Sequence, residues 1–227
     1  MGYILSLLML VCLGGPAFAG EKAPAGSIDV YKYWPWTAGT EWKYKEMRKG
    51  FLPSRLDTVK ALAPADGASI RVQWPGGWLD HYNETGKGLE RPKDFDAARG
   101  IYGVYTPPAV QYPHYARLGE PYRRTAMRRE FYSADGKPVG PESREDMTYA
   151  ALGFEDVKVP AGLFKDCLMQ IRDYKDVNDK GVERRKIVIS WNAPGVGPVR
   201  SCVREFSEGR IIEDFCVELT GVSGPAK

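Results

Sequence analysis

The stretch VRSCVREFSEGRIIEDFCVEL, Val199 to Leu219, decides how the chain folds. Two alternating runs flank Glu208-Gly209, the kind of break at which an antiparallel hairpin turns. With a three-residue loop, Glu208-Gly209-Arg210, one face sets Arg200 opposite Glu218, Cys202 opposite Cys216, Arg204 opposite Asp214 and Phe206 opposite Ile212. Two charge pairs, a sulfur pair and an apolar pair then line up as cross-strand neighbours. A slip by one residue sets Val203 against Asp214 and Cys202 against Phe215, so the first register is expected. It predicts a disulfide between Cys202 and Cys216, with Cys167 left as the spare thiol.

The rest of the chain repeats this idiom. TEWKYKEM around Trp42 and Tyr44 alternates aromatic and charged residues. GASIRVQW passes through Pro75-Gly76-Gly77 into WLDHYNE, PYRRTAMRREFYS meets the turn ADGK, and DCLMQIRDYKD passes through NDKG into VERRKIVISW. Runs joined by such turns predict a mainly β fold, a meandering antiparallel sheet with one buried face and little helix. Consecutive prolines do not suit a central strand. The expectation is therefore one β domain over residues 20–227, with YTPPAVQYP (Tyr105 to Pro113) the best candidate for a connection if two lobes join near 105–121.

The first residues, MGYILSLLMLVCLGGPAFA, carry an apolar run too short to span a bilayer, followed by glycines, a proline and Ala17-Phe18-Ala19. Residues 1–19 read as a secretory signal peptide cut between Ala19 and Gly20. Val11 before Cys12 does not fit lipoprotein processing. Export would place the chain in the periplasm or outside the cell, where a disulfide persists. No second long apolar run follows, so stable membrane insertion is not expected. The formal charge of +3, from 32 basic and 29 acidic residues, does not make a nucleic-acid binder. RRTAMRRE (Arg123 to Glu130) is locally basic, but a strand splits its arginines between two faces and predicts a solvated surface.

No catalytic residue, metal site or cofactor motif is assigned. Cys167 lies in an apolar row with Met169 and Ile171, and the two histidines, His81 and His114, are far from it in sequence. A packed cysteine is the reading, since a nucleophilic thiolate needs an electropositive, exposed setting. DVNDKG (Asp176 to Gly181) opens like a calcium loop, but Lys180 replaces an oxygen ligand. Glu145-Asp146 and Glu155-Asp156 would face opposite ways on strands. The most site-like region is WPGGWLDHYNE, from which Trp74, Trp78, His81 and Tyr82 are the candidate ligand-binding residues. A hydrolase using Asp80 and His81 is the least favoured alternative.

Three segments carry a family resemblance: YWPWTAGTEWKY (Tyr33 to Tyr44), VKVPAGLFKDCLMQI (Val157 to Ile171) and SWNAPGVGPVR (Ser190 to Arg200). Together they resemble a group of exported bacterial proteins of uncharacterised function related to the DUF3108 and TapB-type domains. TPPAVQYPHYARLGEPY is similar to that group's Pro-rich linker, with Tyr122 in place of a tryptophan. The resemblance implies the strongly curved, LolA/LolB-like half-open barrel of lipoprotein carriers. It implies no agreed activity. The expected function is a non-enzymatic exported binding or carrier protein for a lipid or other hydrophobic ligand. A structural or assembly module that meets an envelope protein is the alternative.

Overall fold

The computed structural model describes residues 23–47, 56–178 and 180–224, so the expected cleavage between Ala19 and Gly20 lies outside the described residues. The described residues are antiparallel β almost throughout. A short β1 (Ile28–Asp29) precedes β2 (Glu41–Met47), β3 (Leu56–Leu62), β4 (Ile70–Gln73), β5 (Trp78–Thr85), β6 (Gly88–Asp96) and β7 (Ile101–Pro113). After β8 (Tyr115–Ala116) come β9 (Tyr122–Ser133), β10 (Ser143–Val159), β11 (Gly162–Val177), β12 (Glu183–Ala193), β13 (Gly197–Ser207) and β14 (Arg210–Ser223). Two short 3-10 turns, Val30–Tyr33 and Pro75–Gly77, are the helical elements among the described residues.

Twelve strands form one meander, β2 to β7 and then β9 to β14, which closes when β14 pairs with β2 through Leu219–Tyr44, Glu218–Lys45 and Val217–Glu46. Closure goes beyond the half-barrel that the resemblance implied. It removes both sheet edges, which are otherwise open to foreign strands. β1 and β8 pair separately, Ile28 with Ala116 and Asp29 with Tyr115.

Alternation decides what faces the lumen. On β2, Trp42, Tyr44 and Glu46 are buried while Lys43 and Met47 are exposed. The outer wall carries ion pairs instead: Arg204–Asp214 at 2.8 Å, Arg185–Asp173 at 2.7 Å and Arg200–Glu218 at 2.9 Å. Cys202 and Cys216 lie on the same outer side as the Arg200 and Arg204 pairs and are joined by a disulfide.

The decisive hairpin keeps its expected register from Arg200–Glu218 to Glu205–Glu213. Nearer the tip it differs: Phe206 faces Ile211 rather than Ile212, and Ser207 faces Arg210. The loop is two residues, Glu208 and Gly209, both at positive φ (49° and 75°). Such a turn matches strand twist better than a three-residue loop, and a bulge absorbs the extra residue.

The Pro-rich stretch is also not a linker. Tyr105 to Pro113 lies inside β7, and Pro107 and Pro108 sit where the pairing lapses. The β7–β9 ladder stops at Thr106–Arg128, and the β6–β7 ladder skips between Arg91–Ala109 and Lys93–Val104. No neighbour there draws on the missing N–H groups, so a bulge accommodates both prolines.

Replacing Cys202 and Cys216 together by serine frees a loop with a sequence separation of 14. Urea unfolding should show a loss of about 3 kcal/mol. An unchanged midpoint would mean that the bridge does not constrain the unfolded chain.

Candidate functional site

The hairpin at Pro75-Gly76-Gly77 places Trp74 and the start of β5 around one carboxylate. Asp80 accepts hydrogen bonds from Trp74 Nε1 (2.8 Å), Trp78 Nε1 (3.1 Å), Tyr82 Oη (3.0 Å) and Arg91 Nη1 (3.1 Å). Trp74, Trp78 and Tyr82 therefore meet, as a tight knot facing the lumen. His81 does not join them, because its neighbours in the strand point the other way. It is 1% exposed on the outer side, with Asp66 Oδ2 3.7 Å from Nε2. Burial, reinforced by Lys93, pushes its pKa down. Asp80 and His81 thus cannot share a proton.

A charged array continues from the knot. Arg91 Nη2 donates to Tyr105 Oη at 2.7 Å, and Tyr105 donates to Asp94 at 2.7 Å. Arg129 Nη2 donates to both oxygens of Asp94, at 2.7 and 2.9 Å. Glu145 pairs with Arg124 at 3.4 Å and with Arg91 at 3.8 Å. Burial raises the Glu145 pKa against the pull of these arginines, and burial lowers Arg124 to about 10. Burial also opposes the Arg91 cation, but Tyr105, Asp80 and Asp94 outweigh it and hold its pKa well above the ordinary value. Gly103 makes room: a Cβ there would lie 2.5 Å from both Arg129 Nε and Asp94 Oδ1.

Sequence reasoning missed this array. RRTAMRRE does split its arginines, since Arg123 is exposed and Arg128 half-exposed, but the inward members are not solvated. Arg124 and Arg129 are five residues apart and would face opposite ways on a regular strand. A bulge between the pairs Met147–Arg124 and Glu145–Met127 turns both inward. A local pattern cannot reveal that shift.

One end of the barrel is plugged by the segment before β2. Asp29 caps its 3-10 turn by accepting from Tyr31 N–H (3.1 Å), and Gly195 N–H anchors it through the Lys32 carbonyl (2.8 Å). The segment drives Trp34 and Trp36 inward. Trp34 packs on Tyr112 with ring centroids 4.0 Å apart, and Trp36 meets Trp42 and Trp74 edge-on at 5.1 and 6.1 Å. The β10–β11 tip folds over the same end, where Ala161 N–H donates to the Leu219 carbonyl (3.0 Å) and Arg200 to that of Lys158 (3.0 Å).

Between plug and tip lies a pocket of about 370 Å³. Pro35, Thr37 and Thr40 line it from the plug, Trp42 from β2, Ala161 and Phe164 from the tip, and Gly195 and Val196 from the β12–β13 turn. Leu219 to Val222 and Gly224 complete the wall, and no lining residue is ionisable. All three segments that carry the resemblance converge here. Gly197, at φ 97°, stays close to the Trp42 indole, which donates to the Val196 carbonyl at 2.7 Å.

Cys167 is fully buried, and burial pushes its thiol up to about 11. Its Sγ reaches the Phe164 carbonyl at 3.5 Å. No group of three metal-ligating side chains gathers among the described residues.

No known family profile and no curated protein matches the chain. Among solved structures it is similar to a protein described as a lipoprotein from Parabacteroides distasonis, at 14% identity and a TM-score of 0.42, covering 83% of this chain and 96% of that one. It is also similar to a protein described as exported, with a YmcC-like fold, from Bacteroides fragilis, at 11% identity and a TM-score of 0.39, covering 82% and 96%.

Asp80→Ala removes the acceptor of four donors, one of them a buried cation. Urea unfolding should show a loss of about 3–5 kcal/mol; a loss under about 1 kcal/mol would mean that water reaches the knot. Cys167 should resist iodoacetamide at about pH 8 in the folded protein and react once unfolded, because a thiol with a raised pKa stays protonated there. Equal labelling of both states would contradict the burial.

Proposed function

We propose that this is an exported, non-enzymatic binding or carrier protein for a lipid or another hydrophobic ligand, with the pocket between plug and β10–β11 tip as its docking site. The observation that carries the reading is a pocket of about 370 Å³ without an ionisable side chain in its wall. Its size falls within the range of small-molecule sites, about 300–1,000 Å³. The lumen itself is taken up by Trp34, Trp36, Trp42, Tyr82, Tyr112 and the charged array, so the pocket is at the end of the barrel.

Export is supported by the leader-like first residues and by the disulfide. No helix among the described residues is long and apolar enough to cross a membrane. The ion pairs on the outer wall favour a barrel standing in water, since strands that face lipid carry an apolar band there. Membership of the DUF3108 and TapB-related group rests on the three converging segments alone. The non-enzymatic reading is supported by the divergence of Asp80 and His81 and by the protonated Cys167.

A second reading is an assembly module of the envelope. It is favoured by Leu152, Phe154 and Leu163, exposed at 42%, 46% and 59% on the β10–β11 hairpin that folds over the pocket. Pull-down of a stable protein partner without any small molecule would select it.

The binding reading is tested by titrating the neutral apolar dye N-phenyl-1-naphthylamine into wild type and Phe164→Asp. Wild type should bind it, and the variant should bind about ten-fold more weakly or worse, because the dye would meet an unpaired charge. Failure of wild type to take up the dye, or equal binding by both, would overturn the reading.

A further inference from the structure

Among the described residues four arginines point into the lumen, and three of them have carboxylates: Arg91 with Asp80, Arg124 with Glu145 and Arg129 with Asp94. Arg172 makes no such pair among the described residues. Its Nη1 donates to the hydroxyls of Tyr112 and Tyr174, the latter at 3.1 Å. Its guanidinium lies against the rings of Tyr112, Trp34 and Tyr174, at 4.8, 5.8 and 5.9 Å from their centroids. An enclosed cation held only by hydroxyls and ring faces is one counter-charge short.

The groups around it are short of acceptors as well. Arg172 Nε finds no hydrogen-bond partner among the described residues. Neither does the hydroxyl of Tyr149, which faces Arg172 directly across the β10–β11 ladder. Gln111 uses its oxygen to accept from Tyr174 at 2.9 Å, while its Nε2 is unpaired. Trp34 Nε1 is unpaired too. Tyr149, Gln111 and Trp34 are all at least nine-tenths buried, and native interiors rarely leave such donors idle. Four idle donors, one of them on the uncompensated cation itself, describe a receptor for a carboxylate. The other three arginines already have carboxylate partners, so Arg172 offers a single positive charge to a singly charged head.

This cation sits at the end of an apolar path. Trp42, in the pocket wall, is followed by Trp36 at 5.1 Å and Trp34 at 5.3 Å, and Trp34 lies against Arg172. We propose that the ligand is an anionic amphiphile whose carboxylate is held by Arg172, Gln111 and Tyr149 and whose chain takes the place of Trp34 and Trp36 on the way to the pocket. This rests on the pocket reading above and adds the chemistry of the head. The indoles fill the path, so binding displaces the Trp34–Trp36 segment and changes tryptophan fluorescence.

The test compares dodecanoate, dodecanol and acetate by calorimetry and tryptophan fluorescence at about pH 8, where the acids are ionised. The proteins are wild type, Arg172→Gln and the outer-wall control Arg185→Gln. Wild type and Arg185→Gln should bind dodecanoate alike. Dodecanol on wild type, and dodecanoate on Arg172→Gln, should bind about ten-fold more weakly or worse, the loss expected for a hydrogen bond to a charged group. Equal binding of dodecanol and dodecanoate overturns the carboxylate site and leaves the pocket reading standing. So does undiminished dodecanoate binding by a folded Arg172→Gln. Acetate binding as tightly as dodecanoate, and lost in Arg172→Gln, makes free small acids the source of the carboxylate and removes the tail from the proposal. No binding of any of the three overturns the site. Should Arg172→Gln fail to fold, the dodecanol comparison on wild type decides alone.

Discussion

A closed barrel of twelve strands encloses more space than its wall can fill, and that constraint governs the rest of the structure. Side chains alone fill a lumen of about eight strands; wider barrels take a plug, a ligand or water. Here the plug is local in sequence, the few residues before the first barrel strand. It is anchored at Asp29, at Lys32 and through β1 to β8, and it delivers Trp34 and Trp36 into the widened space. The aromatic residues that lend the sequence its character are thus consumed in closing the fold. The pocket is what remains between plug, hairpin tip and wall.

The other part of the lumen is filled by charge. Ion pairs are a poor source of net stability in an interior, because desolvation offsets their attraction. What they impose is geometry. Asp80 needs four donors from three different stretches, Arg129 needs the space opened by Gly103, and Arg124 needs the bulge that turns it inward. A slip in strand register would strand several charges at once, so the array opposes alternative pairings of a repetitive meander. Arg172 is the exception, a cation accommodated by hydroxyls and ring faces, and for that reason it stands apart as a candidate for function.

Much of the fold was legible because hairpins are local. The pairs Arg200–Glu218, Cys202–Cys216 and Arg204–Asp214 lie within twenty residues of one another, and their chemistry specifies the register. Closure was not legible, since Leu219 meets Tyr44 across most of the chain. The same limit hid the partners of Arg124 and Arg129, which come from other strands, and it made a linker of Pro107 and Pro108, whose bulge only the neighbouring ladders reveal. Of the candidate ligand residues, Trp74, Trp78 and Tyr82 were readable as a group because a single turn gathers them, and alternation alone should have set His81 apart. The pocket's wall was present in the three resembling segments, but nothing in any one of them shows that they meet.

The central claim is that Trp34 and Trp36 complete the interior, and it is tested most directly by urea unfolding of Trp34→Ala/Trp36→Ala. If the two rings fill a lumen that the wall cannot, the double variant loses about 3–5 kcal/mol or more, the usual cost of emptying a large aromatic site. A stability within about 0.5 kcal/mol of wild type, the range of surface substitutions, would show that the barrel does not need its plug.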